Sequence, residues 1–127
     1  MKLMIVDDSN IIRSRITRIM TEPGLLNSGL PDIEIVGTAA SGTEAYALFI
    51  SSHPDVVTMD LTMPEMDGVE CTALLTELNP NVKILIVSAL SDKATAIQAL
   101  KNGAEGFLYK PFTDDELIYA LLELTKQ

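Results

Sequence analysis

A chain of 127 residues fits one domain, and a hydrophobic content of 47% is enough to bury a core, which excludes a disordered tail. Aromatic residues make up only 5% and tryptophan is absent, so that core has to be aliphatic. Acidic residues outnumber basic ones 18 to 9, and a net charge of −9 repels nucleic-acid phosphates and anionic lipid, excluding both as direct partners.

The first expected element is a strand at Lys2–Val6. Its apolar run is cut by Asp7 and Asp8, which makes it too short for the core of a secretion signal. A helix over about 11–20 follows, with Ile12, Ile16 and Ile19 on one face. Arg13, Arg15 and Arg18 lie away from that stripe, either as a docking stripe for an acidic surface or as an ordinary solvated face. The segment 22–32, with Pro23, Gly24, Gly29 and Pro31, is the one irregular stretch, longer than usual for such a connection. It joins a helix to a strand, so it belongs at the amino-terminal edge of the sheet.

A strand at 33–36 comes next, then a helix opened by Ser41 and Glu44 at capping-box spacing. His53 ends that helix, where its partial positive charge suits the dipole. A strand at Val56–Met59 is followed by a helix that Asp67 and Glu70 begin more weakly. The strand at 83–87 leads to a helix starting near Ser91 and closed by Gly103, where a left-handed residue is wanted. The last strand is 106–109, and the last helix carries the capping box Thr113 and Glu116 with the stripe Leu117, Leu121, Leu124. No stretch approaches the roughly 18 apolar residues of a membrane span.

Five β-α units in regular alternation make this an α/β chain, a parallel sheet with helices on both faces. Right-handed crossovers then leave only a few doubly wound orders. The single cysteine, Cys71, has no internal disulfide partner, fits a reducing cytoplasm and reads as a small packed hydrophobe. The single histidine, His53, excludes a multi-His zinc site.

Binding in open α/β sheets occurs at the carboxyl ends of the strands. The first strand is followed there by Asp7 and Asp8, the third by Asp60, the fourth by Ser88 and the fifth by Lys110 and Pro111. Three carboxylates in one place do not all stay ionised cheaply without a cation, and an oxygen-rich set without His or Cys suits Mg²⁺. Asp60, alone at the end of the central strand, is the best nucleophile toward a phosphoryl group. Lys110 would stabilise charge on the transferring oxygens and Ser88 would hydrogen-bond one of them.

The motifs IVDDS, MDLTMPEMDG, VSA and YKPF, in that order along essentially the whole chain, resemble the receiver domain of two-component response regulators, in its CheY-like single-domain form. The resemblance implies one receiver domain over residues 1–127, a flavodoxin-like (βα)5 sandwich with strand order 2-1-3-4-5. It implies that Asp60 is phosphorylated by a sensor histidine kinase or phosphotransfer protein. Asp7 and Asp8 would then hold Mg²⁺ together with Asp60 and the Thr62 backbone carbonyl. Ser88 and Phe107 are the implied switch pair, and the bond from Lys110 to Pro111 is implied to be cis. Phosphorylation would draw Ser88 inward and give Phe107 space to enter, with output carried by the face of the fourth helix, fifth strand and last helix. The implied output partner is a target protein, a flagellar-motor component or another signalling protein, and a phosphatase is a further candidate.

Thr62 and Leu90 occupy the two positions that tune water access to the acyl phosphate in this family. Leu90 is apolar and does not orient water, so self-dephosphorylation is expected to be slow. Beyond its own phosphotransfer and that slow reversal, the chain is expected not to be an enzyme. The alternatives are a receiver excised from a longer regulator or hybrid kinase, and a metal-dependent aspartyl-phosphate phosphatase. Thr62 disfavours the phosphatase, which commonly needs a second acid there. A flavodoxin-like redox protein is disfavoured by two aspartates where a cofactor phosphate would sit.

Overall fold

The computed structural model describes residues 1–22, 24 and 28–126. Strands β1 (Lys2–Val6), β2 (Glu34–Ala39), β3 (Val56–Met59), β4 (Lys83–Ala89) and β5 (Gly106–Lys110) alternate with helices. These are α1 (Asn10–Thr21), α2 (Gly42–Ser52), α3 (Gly68–Leu78), α4 (Lys93–Lys101) and α5 (Asp114–Thr125). All strand pairings are parallel and the order is β2-β1-β3-β4-β5, the doubly wound arrangement expected.

Successive strand residues point to opposite faces, and here both faces are apolar. Met4, Val6, Val57, Met59, Ile84 and Ile86 pack with residues of α2, α3 and α4. Leu3, Ile5, Val56, Leu85 and Val87 pack with Ile16 and Ile19 of α1 and Leu117, Leu121 and Leu124 of α5. Each such aliphatic side chain contributes on the order of 1.5–3 kcal/mol when fully buried, so the two layers hold the sheet rigid from both sides. Cys71 is buried in the first layer, and burial, with Asp67 and Glu70 nearby, pushes its thiol up to about 12, which leaves no reactive thiolate.

Three strands run further than their apolar residues. Ser88 pairs with Tyr109 and Ala89 with Lys110, so β4 and β5 continue through polar residues. Likewise Gly37, Thr38 and Ala39 pair with Met4, Ile5 and Val6, extending β2 past 36. Ladder hydrogen bonds are made by backbone and do not stop at the first polar side chain. Ser88 and Lys110 therefore sit within strands, not after them.

The helix starts follow the sequence, with one difference. Ser9 caps α1 through the Ile12 amide at 3.3 Å, and Asp67 caps α3 through Glu70 N at 2.9 Å. Thr113 and Glu116 form the reciprocal capping box of α5. At α2, Ser41 accepts from Glu44 N, but the Glu44 carboxylate reaches the Ala40 amide and not that of Ser41, so the box is not closed. His53 takes the left-handed C-cap of α2 at φ 49°, and a single 3-10 turn, Leu90–Asp92, precedes α4. Gly103 follows α4 at φ 121°, with its amide on Leu100 O. Pro23 and residues 25–27 of the 22–32 segment lie outside the described residues. Its end is tied by the Met1 ammonium donating to Asp32 O at 2.6 Å, on the amino-terminal side of β1.

One glycine fixes how closely α3 approaches the end of β3. A Cβ on Gly68 would lie 2.1 Å from the Asp60 carbonyl oxygen and 2.7 Å from Leu61 Cα, both backbone atoms. The Gly68 amide also donates to Leu61 O at 2.8 Å. Gly68→Ala is expected to lower stability by about 3 kcal/mol, the upper end of the overpacking range, in urea unfolding. An unchanged midpoint would contradict this close approach.

Candidate functional site

Neighbouring β1 and β3 end level, with Val6 opposite Met59, so the residues that follow them are brought side by side. Asp7 continues the ladder through its amide to Ala39 O at 3.0 Å, and Asp60 through its amide to Val6 O at 2.9 Å. Both are buried, at 1% and 5% exposure, whereas Asp8 is exposed. One carboxylate oxygen from each of Asp7, Asp8 and Asp60 lies within 4.8 Å of the others.

Lys110 reaches into this cluster from the end of β5. Its Nζ is 2.8 Å from Asp7 Oδ2 and donates to Asp60 Oδ1 at 3.3 Å. Asp7 Oδ1 accepts from Ser9 N at 2.9 Å, which fixes the carboxylate at the start of α1. Asp7 Oδ2 is buried, and among the described residues the Lys110 ammonium at 2.8 Å is its one close partner. A buried carboxylate oxygen with lone-pair capacity to spare, beside two more carboxylates and no His or Cys, fits a hard divalent cation.

One lysine does not balance three acids. Burial, and then the charge of Asp7, push the Asp60 carboxyl up from its ordinary 3.8 to about 6, against the opposing pull of Lys110. Burial alone would lower the Lys110 ammonium, but hydrogen bonding to Asp7 and the charges of Asp60 and Asp7 outweigh it and raise it. Lys110 therefore stays fully charged, while Asp60 carries an unfavourable negative charge at neutral pH.

Ser88 is 2% exposed in β4, and the Lys110–Pro111 bond is cis. Thr62 lies exposed in the connection after β3, and Leu90 is 63% exposed beyond β4. Phe107 stands outside the acidic cluster: the residue is 39% exposed, and its ring meets Tyr109 edge-on at 5.0 Å. Ser88 is paired with Tyr109, two residues after Phe107, so all three side chains share a sheet face.

The arginines of α1 are only partly the solvated or docking face that their spacing allowed. Arg13 Nη1 donates to the Asp7 carbonyl at 2.7 Å, and Arg15 stacks on Phe112 and donates to its carbonyl. Arg18 remains outward and pairs with Glu22. The Arg15 contact joins residues 97 apart in the chain, and nothing in local spacing signals it.

The model of the response regulator receiver domain matches residues 3–122. The chain belongs to that family. Receivers similar to it include the chemotaxis protein CheY of Thermotoga maritima, 36% identical over 125 residues that make up 98% of both chains. The CheY of Listeria monocytogenes is also 36% identical, over 99% of both. The oxygen regulatory protein NreC of Staphylococcus epidermidis is 35% identical over 95% of this receiver but only 53% of its own length. Among solved structures, a chain of the CheX–CheY–BeF3–Mg²⁺ complex from Borrelia burgdorferi superimposes with a TM-score of 0.84 at 31% identity. That superposition covers 96% of this receiver and 87% of the other chain. The fold is thus the flavodoxin-like receiver fold, and the chain is a response regulator of the two-component type.

The Asp60 shift sets a pH dependence. A carboxyl with a raised native pKa binds its proton more tightly when folded, so the contribution of Asp60 to stability is fullest below about 4 and is lost as pH rises through about 6. Asp60→Asn is therefore expected to be about 1–3 kcal/mol more stable than the parent in urea at pH 7.5 with EDTA. The gap should close below pH 4, and Mg²⁺ should narrow it by stabilising the parent alone. An Asn variant less stable than the parent in EDTA would contradict the assignment.

Proposed function

We propose that this receiver takes a phosphoryl group from the phosphohistidine of a sensor histidine kinase or phosphotransfer protein onto Asp60, as a stand-alone, CheY-like regulator of the chemotaxis type. The observation that carries this reading is the convergence of Asp7, Asp8 and Asp60 with Lys110 at one strand-end pocket. Mg²⁺, held by Asp7, Asp8, Asp60 and the Thr62 carbonyl, would neutralise the carboxylates and the charge on the phosphoryl oxygens.

Asp60 presents its carboxylate oxygen to phosphorus. An O–P bond forms as the P–N bond of the phosphohistidine breaks, and the imidazole leaves with the electron pair. Lys110, held between Asp7 and Asp60, is placed to keep its ammonium beside the oxygens that gain charge. The Ser88 hydroxyl hydrogen-bonds a phosphoryl oxygen, and the shared face of Ser88 and Phe107 supports a switch in which Phe107 follows Ser88 inward. Exposed Leu90 offers no group to orient water, which supports slow loss of the phosphoryl group. Thr62, standing where a turnover phosphatase would place an acid, supports a protein that does not turn over other substrates.

A cavity of about 540 Å³ between β5 and α5, lined by Leu85, Phe107, Leu108, Tyr119 and Leu124, supports this side of the molecule as the output face. Its partner would be a motor component or another signalling protein, and the CheX complex of the Borrelia neighbour supports a protein partner, with a phosphatase among the candidates. No helix among the described residues is long and apolar enough to cross a membrane, which together with the free Cys71 supports a cytoplasmic setting without membrane insertion. The end-to-end match to the CheY proteins supports the stand-alone form. The longer NreC keeps open a receiver belonging to a larger regulator.

Incubation with acetyl phosphate and Mg²⁺ tests the reading by intact mass. One phosphoryl adduct is expected on the parent, none on Asp60→Asn and none with EDTA. Labelling of both forms, or of neither where another receiver is modified, would overturn it.

A further inference from the structure

Lys110 and Asp7 pair across strands that are not neighbours, because β3 and β4 lie between β1 and β5. Sheet hydrogen bonds hold each strand to the next, but they do not set how the end of β5 is held against the end of β1. Helix α1 spans that gap. Arg13 grips the carbonyl of Asp7 itself, and two residues on Arg15 grips the carbonyl of Phe112, two residues beyond Lys110.

The Arg15 contact is built from several parts. Its guanidinium carbon lies 4.5 Å from the centroid of the Phe112 ring, and Nη2 donates to the Phe112 carbonyl and approaches Asp114 Oδ1 at 3.4 Å. Phe112 is buried with Ile16 and Leu117, so the ring is a firm platform and not a loose cover. A planar guanidinium stacks and donates at once, which a lysine ammonium does not reproduce. Arg15 and Asp114 are both partly exposed, so their ion pair itself adds little to stability.

The geometry points to Arg15 as a positioning residue for Lys110: it pins the backbone just after Lys110 to the same helix that pins Asp7, and so sets where the ammonium meets Asp7 and Asp60. This rests on Asp60 being the phosphoacceptor. Loosening the Phe112 backbone lets Lys110 drift by a fraction of an ångström, enough to slow transfer about tenfold.

The test follows labelling of the full chain by acetyl phosphate with Mg²⁺ in the parent, Arg15→Met, Arg15→Lys, Lys110→Met and the Arg15→Met/Lys110→Met pair. Arg15→Met and Arg15→Lys should each slow labelling about tenfold, while in the Lys110→Met background Arg15→Met should change the rate less than about twofold. The ¹⁵N resonance of the Lys110 ammonium should move in both Arg15 variants. If Arg15→Met does not fold, Arg15→Lys with Arg15→Lys/Lys110→Met carries the same comparison. Equal slowing with and without Lys110, parent-like rates in the Arg15 variants, or an unmoved Lys110 resonance would overturn the inference. Failure of the parent itself to label would instead count against the phosphoacceptor reading.

Discussion

Three carboxylates and one lysine share the carboxyl end of a parallel sheet, and the repulsion among those carboxylates is the constraint on which the rest of the structure turns. Adjacent parallel strands lie about 4.8 Å apart, so residues leaving β1 and β3 at the same level cannot avoid one another. Val6 and Met59 are at the same level, and Asp7 and Asp60 come next. Burial, and then the charge of Asp7 beside it, raise the proton affinity of Asp60, whose carboxyl is pushed up to about 6. A fold selected only for stability would place an apolar residue there. The unfavourable charge accords with the proposed role of Asp60 as a phosphoacceptor beside a bound cation.

The surrounding structure holds that charge in place. Buried aliphatic layers on both faces leave β1 and β3 no freedom to move apart. Gly68 lets α3 start against the backbone of Asp60 and Leu61, and the Ser9 amide fixes the Asp7 carboxylate. Lys110 supplies a balancing charge, and Arg13 and Arg15 connect its strand end to that of Asp7 through α1. A site assembled from three strands thereby behaves as one rigid unit, which electrostatic stabilisation of a transferring group requires.

Much of this was legible in the chain, for physical reasons. The bounds of β1 and β3 follow directly from sequence, because each is an apolar run closed by aspartate. The pocket residues follow from the alternation alone, since strand carboxyl ends in such a sheet must meet. The extensions of β2, β4 and β5 were hidden, because ladder pairing is a backbone property that side-chain polarity does not report. The open capping arrangement at Ser41 was hidden too, since spacing does not say which amide Glu44 reaches. The work of Arg15 was the least visible, because its partner is a backbone carbonyl far away in the chain. Only the folded molecule separates an arginine that faces water from one that braces a site.

Direct titration of Asp60 tests the central claim, that crowded carboxylates create a site for a cation. In ¹³C spectra of the side-chain carboxyls recorded in EDTA, Asp60 should titrate near 6. Saturating Mg²⁺ should lower that midpoint by more than about one pH unit, as an opposite charge within contact distance requires. A midpoint at the ordinary 3.8, unmoved by Mg²⁺, would contradict the account.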